Sequence, residues 1–266
     1  MIYKPGVEGR IAAVDSDMLL FRSLSATEVE VQLDEWDWTR HSDCAAAWET
    51  YWEYIHSWSK ELNIKPENFM HCFTHASAFR RRIFPDYKQS RKGKPKPIGF
   101  GAMRAKVMQE DNAFMFNEIE ADDVIGLFAT LPDTDVVVIS GDKDLDQIPG
   151  WHIWMDMQPR FITHDYAERF TYQQYLQGDA TDSIPGCKGV GEVGAKKAVA
   201  ELDITDPVGC WEAVVRLYEK KGKVDNPYEY ALTQARLTRI LRWGEYDFNT
   251  HTVKPWTPET QLPFAA

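Results

Sequence analysis

A chain of 266 residues with 44% apolar content is long enough for one large domain, or for a main domain with a smaller appendage. No run approaches the eighteen apolar residues that a membrane-spanning helix needs, so a membrane protein of that kind is excluded. The formal net charge of −11 argues against a uniformly basic nucleic-acid binder, but the charge is unevenly placed. Between Arg80 and Lys106 ten Lys/Arg face one acid, Asp86, which leaves a segment of +9 on a body of −20. Tyrosine, phenylalanine and proline interleave those cations, as a nucleic-acid-binding segment would require and a plain solvated loop would not.

The N-terminal "MIYKPGVEGR" lacks the apolar core of a signal peptide, and Cys44, Cys72, Cys187 and Cys210 are scattered without metal-ligand spacing. Reduced thiols in a cytoplasm are expected. "RIAAVDSDMLLFR" reads as a buried strand ending at Asp15. Residues 44–62, with aromatics three and four apart, predict an amphipathic helix whose tryptophans and tyrosines face the core. "NFMHCFT", 68–74, is a second strand. In the basic segment, Pro85, Pro95 and Pro97 with Gly93, Gly99 and Gly101 forbid one continuous helix, so helical pieces joined by a mobile loop are expected.

"EADDVIGLFATL", 120–131, carries three acids in its first turn, where a helix dipole favours them. "DVVVIS" and "WHIWM", 151–155, are third and fourth strands. Strands alternating with helices predict an α/β fold with a mostly parallel central sheet covered on both faces. Ligands of such sheets gather at the carboxyl ends of the strands, where Asp15, Asp142 and Asp144 fall. From about residue 163 the chain reads as helical, with no further strand.

The acids are the main chemical signal. Asp15 and Asp17; Glu120, Asp122 and Asp123; Asp142, Asp144 and Asp146; and Asp179 and Asp182 come from four separated elements. Such a crowd of carboxylates needs a cation, and all-oxygen donors suit Mg²⁺ or Mn²⁺. Their excess over what one Mg²⁺ takes points to two ions, which together can stabilise an in-line displacement at phosphorus. Two reaction classes fit at this point. A haloacid-dehalogenase-like phosphatase would use Asp15 in "VDSDM" as nucleophile and Asp17 as acid, whereas a phosphodiester nuclease would use Asp15 as a ligand. The phosphatase reading leaves the basic segment and "EADD" without a task.

"IPGCKGVGEVGAKKAV", 184–199, favours the nuclease. Gly189-Val190-Gly191 with Ala195 four residues on has the pattern of a helix–hairpin–helix, whose glycines let backbone approach a phosphate. Lys188, Lys196 and Lys197 supply charge, and binding would be independent of sequence.

With these motifs in order, the chain resembles the structure-specific 5′-nuclease family of flap endonucleases, polymerase-linked 5′-nuclease domains and tailed-phage 5′–3′ exonucleases. The resemblance implies a PIN-like α/β catalytic domain over 1–162, with an arch at 77–106, and a helical DNA-binding domain over 163–266. It implies metal ligation by Asp15, Glu120, Asp122, Asp123, Asp142, Asp144, Asp179 and Asp182. Tyr87, Lys88 and Arg91 would meet the scissile region. Arg80, Lys92, Lys94, Lys188, Gly189, Gly191, Lys196 and Lys197 would contact DNA, and Asp17 and Asp146 would support rather than ligate.

It further implies a monomer hydrolysing DNA near 5′ ends, at duplexes with a single-stranded 5′ end or flap, with RNA–DNA hybrid as a further substrate, in phage DNA replication or host-DNA degradation. A K⁺ ion at residues 188–193 belongs to the same expectation. Two positions depart from the family pattern. Thr74 or His75 stands where many relatives have Asp, implying a weaker or water-mediated first metal site. Val193 stands where they have Lys, leaving its phosphate contact to Lys196 or Lys197. An inert DNA-binding relative and a PIN-type ribonuclease are the remaining alternatives.

Overall fold

The computed structural model describes residues 4, 6–155 and 157–260. The first apolar run forms β1 (Ile11–Asp15), and Asp15 immediately caps α1 (Ser16–Thr27) by accepting the Met18 amide at 3.0 Å. A hairpin of β2 (Glu28–Gln32) and β3 (Trp38–Ser42) follows, then α2 (Cys44–Leu62). Asp43 caps α2 at its start, and Asn63 ends it in the left-handed region at φ 52°. Next come β4 (Phe69–Cys72), α3 (Phe79–Ile83), α4 (Phe100–Val107), β5 (Ala113–Phe114) and α5 (Ala121–Ala129). β6 (Val136–Ile139), β7 (Gly150–Ile153) and β8 (Arg160–Ile162) complete a six-stranded sheet of order β5-β4-β1-β6-β7-β8. Its neighbours are parallel except at the β7–β8 edge.

The two-residue period of the strands sorts the core. Ala12, Val14, Val137 and Ile139 face a layer built with Leu19, Leu20, Tyr51, Ile55 and Trp58 from α1 and α2. Ala13, Val136 and Val138 face Val124, Ile125 and Leu127 of α5 on the other side. The paired strands put the ends of β1 and β6 side by side, Val14 opposite Ile139, and this registers Asp15 against the Ser140–Asp142 turn.

The rest of the chain is mainly helical: α6 (His164–Gln177), α7 (Glu192–Val199), α8 (Pro207–Leu217) and α9 (Pro227–Thr238). Tyr172, Tyr175, Leu176, Val190, Ala195, Trp211 and Tyr218 form its own core. Beyond α9, Ile240, Leu241 and Tyr246 return to the layer under α5, so the packing does not divide cleanly at residue 162. The expectation of no strand after residue 163 is corrected by a short hairpin, β9 (Tyr246–Asp247) with β10 (Thr252–Val253). The sequence reading also missed β2–β3 and the antiparallel β8. β2 does alternate, Val29 and Val31 between Glu28, Glu30 and Gln32, but β3 (WTRHS) does not, and the pair buries almost nothing, so no core-facing run marks it. No helix among the described residues is long and apolar enough to cross a membrane. The cysteines are free, and Cys72, Cys187 and Cys210 are buried.

Candidate active site

The ends of β1 and β6 supply the first carboxylates. Asp15 is 5% exposed and is fixed by the Met18 amide and by Ser140 Oγ, which donates to Oδ2 at 3.2 Å. Ser140 Oγ also accepts the Asp142 amide at 3.1 Å, and Asp142 Oδ1 accepts the Asp144 amide at 2.9 Å. This turn aims Asp142 and Asp144 back over the strand ends. Asp144 receives a further hydrogen bond from Gln174 Nε2 of α6 at 2.7 Å.

The same residues repel one another. Burial pushes the Asp15 carboxyl up to about 7, with Asp17 and Asp142 adding to the rise. Asp144 is likewise pushed up to about 7 by burial, then by Asp142, Asp179 and Asp182. Asp122 is raised well above the ordinary carboxylate range by burial, Asp142 and Asp15. Carboxylates from β1, the β6 turn, α5 and the turn after α6 therefore share one electrostatic environment.

Tyr87, Glu120, Asp122, Asp144, Asp179 and Asp182 line a cavity of about 30 Å³, large enough for water or a small ion and far too small for a nucleotide. Among the described residues no three His, Cys, Asp or Glu side chains stand as a ready metal cage. The coupling is longer-ranged, which suits hard cations that keep waters between themselves and most of the carboxylates.

The basic segment closes over this cluster. Its helical pieces are α3, a 3₁₀ turn at Gln89–Arg91 and α4, and the part around Lys88 and Ser90 is docked, while residues 91–96 are exposed. The Lys88 amide donates to the Asp182 carbonyl at 2.8 Å, and Ser90 Oγ to the Thr181 carbonyl at 2.5 Å. Lys88 adopts the left-handed region at φ 57°, unfavourable for a residue with a Cβ, and these contacts hold it there. Its Nζ lies 2.5 Å from Glu120 Oε1 and 3.5 Å from Asp182 Oδ2, and Arg91 pairs with Asp182. Tyr87, buried, donates to Glu120 Oε2 at 2.5 Å. Burial disfavours the Lys88 charge, but Glu120 and Asp182 outweigh it and raise its pKa. Glu120 is lowered despite burial because Lys88 and Arg80 face it. An open cavity of about 310 Å³ within the segment is lined by its own residues, Arg81, Lys88, Arg91 and Lys92 among them.

Two expected residues are engaged inside the protein, although Arg80 also lines the small cavity and faces Glu120 Oε2 at 3.3 Å. Arg80, expected on DNA, is buried, and Asp123, expected as a metal ligand, is fully buried. They bond each other twice, and Asp123 also accepts the amides of Glu120 and Leu241. Arg80 further donates to the carbonyls of Leu237 and Arg239. Asp123 is the third residue of α5, and helical geometry turns it inward to the capping box with Glu120 while Asp122 faces the cluster.

Asp17 accepts the Thr74 amide at 2.8 Å and faces Arg104, and Asp146 is held at both oxygens by Arg160. Thr74 Oγ1 accepts the Ala121 amide, joining the end of β4 to α5. Ser140 and Gln174 were missed from sequence. Ser140 stands inside the quoted acidic turn, but nothing in the α6 pattern marks Gln174.

Away from the cleft, Val190 is buried in the helical core while Lys188, Gly189, Gly191, Lys196 and Lys197 are exposed together with Val193. Gly189 takes φ +76°, and a Cβ at Gly189 or Gly191 would meet nothing within 4 Å. Lys92 and Lys94 are exposed on the basic segment.

Residues 10–174 match the family described as 5′-3′ exonuclease, N-terminal resolvase-like domain. The chain is 24% identical to the exodeoxyribonuclease of Enterobacteria phage T3, over 94% of this chain and 93% of the relative. It is 25% identical to the exonuclease of Escherichia phage T7, over 93% of each. Its fold is similar to that of the bacteriophage T5 flap endonuclease solved as a pseudo-enzyme-product complex with DNA and metal ions. That match has a TM-score of 0.63 and 16% identity, and covers 86% of this chain and 88% of the other. The family match spans more than half of the 266 residues, and the chain belongs to the 5′–3′ exonuclease family.

Proposed function

We propose that this protein is a divalent-metal-dependent 5′–3′ exonuclease and flap endonuclease, hydrolysing phosphodiesters near the 5′ ends of duplex or branched DNA. The observation that carries the reading is the meeting of a buried carboxylate cluster with the basic segment, Lys88 on Glu120 and Arg91 on Asp182. The similarity to the phage T3 and T7 exonucleases along nearly the whole chain supports it.

Asp15, Glu120, Asp122, Asp142, Asp144, Asp179 and Asp182 would hold two Mg²⁺ or Mn²⁺ ions. Such ions supply Lewis-acid chemistry, lowering the pKa of a water nucleophile and neutralising charge on the phosphoryl group. Lys88 and Arg91, already poised over the carboxylates, would receive the charge that develops on the phosphoryl oxygens. Tyr87 orients Glu120 by its hydrogen bond. Lys92 and Lys94 would follow a single strand, and Lys188, Gly189, Gly191, Lys196 and Lys197 would hold duplex phosphates away from the cut, with K⁺ at residues 188–193. The −20 body repels DNA elsewhere. Action as a monomer in the cytoplasm of a host cell, on phage or host DNA and on RNA–DNA hybrid, completes the proposal.

The test is digestion of 5′-labelled flap, nicked duplex, blunt duplex and RNA–DNA hybrid with and without Mg²⁺, product lengths being read on a gel. Short 5′-terminal products that require Mg²⁺ are expected. DNA binding without any cleavage would overturn the proposal in favour of an inert binding protein.

A further inference from the structure

Three glutamines of α6 form a line of amides ending on a carboxylate of the cluster. Gln173 Nε2 donates to Gln177 Oε1 at 3.0 Å, Gln177 Nε2 donates to Gln174 Oε1, and Gln174 Nε2 donates to Asp144 Oδ1 at 2.7 Å. Gln173 and Gln174 are buried, at 8% and 2% exposure. An amide presents an acceptor at one end and donors at the other, so its two ends are not interchangeable. If Gln177 gives its NH₂ to Gln174 Oε1, the NH₂ of Gln174 must face Asp144. A reversed Gln174 would point its carbonyl oxygen at the Asp144 carboxylate, which offers no donor when ionised.

We infer that Gln173, Gln177 and Gln174 form a one-directional amide relay that positions Asp144 for cation binding, with Gln174 and Gln177 as positioning residues. The relay leaves Oδ2 of Asp144 directed by the bond at Oδ1, and it ties the catalytic turn to α6, the helix leading into the Asp179–Asp182 turn. A hydrogen bond to a ligating carboxylate both orients it and keeps it an acceptor, and losing such a bond costs about 10- to 100-fold in metal affinity. This inference rests on the proposed role of Asp144 as a metal ligand.

The sharpest test uses Gln177, which is half-buried at the end of α6, so its variants are expected to fold, with the far-ultraviolet circular dichroism spectrum as the check. In Gln177→Glu the side chain can only accept, so it draws the NH₂ of Gln174 toward itself and turns the carbonyl toward Asp144. Gln177→Leu removes the anchor without reversing it. Mn²⁺ affinity is measured by electron paramagnetic resonance for the full chain without DNA, alongside single-turnover cleavage and KM for DNA. Gln177→Glu and Gln174→Ala are expected to weaken Mn²⁺ binding about tenfold, with KM for DNA unchanged and Gln177→Leu affected less.

Equal effects of Glu and Leu at position 177, or no effect of either, would overturn the relay. Asp144→Asn is the control arm. If it keeps wild-type Mn²⁺ affinity, the ligand assignment itself fails. If it loses affinity while the glutamine variants do not, the relay alone is refuted.

Discussion

Arg80 Nη1 and Nη2 lie 2.5 and 2.7 Å from the two carboxylate oxygens of Asp123, in the interior between α3, α5 and the end of α9. The pair fixes the root of the basic segment to the helix that carries Glu120 and Asp122. Removing one partner strands a buried charge, a change that costs about 3–5 kcal/mol. Arg80→Met and Asp123→Asn should therefore lower the urea midpoint sharply. Mn²⁺ affinity of folded Asp123→Asn should change little, whereas Arg80→Met also takes a cation from Glu120. A stable Asp123→Asn protein with lost metal binding would return Asp123 to the ligand set.

Lys88 is expected to act on the reaction rather than on affinity. Its ammonium already sits among the acceptor groups of the cluster, and under the proposed function it would lie beside the phosphoryl oxygens. Lys88→Ala should slow single-turnover cleavage by about 10²–10³-fold with a much smaller change in DNA dissociation constant. Weakened binding with an unchanged single-turnover rate would make Lys88 a tether only.

The raised carboxyls set a pH dependence of stability. Asp15 and Asp144 are at about 7 in the fold against an ordinary 3.8, so between those values the folded chain holds more protons than the unfolded one. Stability from these groups is full below about 3.8, falls as pH rises through the window and is lost above about 7. In EDTA, Tm should decline from pH 5 to pH 8, and Asp144→Asn should decline less. Mg²⁺ should raise Tm more at pH 8 than at pH 5.5, because the ionised carboxylates then repel one another most strongly. Each kcal/mol recovered corresponds to about 2–4 °C for a chain of this size. Parallel pH curves for wild type and Asp144→Asn would exclude the coupling.

Gly191 separates a folding role from a binding role. Its φ of −80° suits any residue, and a Cβ there meets no protein atom. Gly191→Ala should leave stability within about 0.5 kcal/mol yet weaken duplex binding, since the added methyl would lie where phosphate approaches. Lys196→Ala should lower the slope of log affinity against log salt by about 0.9. Fluorescence anisotropy over a salt series measures both. Unchanged anisotropy in Gly191→Ala would remove DNA from this loop.

β1, α2, β4, α5, β6 and β7 were legible because their side chains report burial directly: IAAVD and VVVI run unbroken through the sheet, and the α2 aromatics recur on one helical face. The carboxylates were legible as a set because acids at strand ends and helix starts are costly without a cation. The β2–β3 hairpin was overlooked although Val29 and Val31 alternate with Glu28 and Glu30; Val29, Val31, Trp36 and Trp38 are exposed, so the hairpin stands outside the core that the other strands report.

The sequence by itself determined the alternation of strands and helices, the identity of the acidic and basic clusters, and the glycine pattern at 189–191, all of which depend on local periodicity and residue chemistry. Only the tertiary structure decided how the neighbouring acids divide their work. Asp122 faces the cluster while Asp123 turns inward to Arg80, and Asp146 pairs with Arg160 while Asp144 meets Gln174. The reason is that adjacent residues of one turn have nearly the same sequence signature. Their direction is set by what lies opposite, and Arg80 and Gln174 reach these acids from 43 and 30 residues away along the chain.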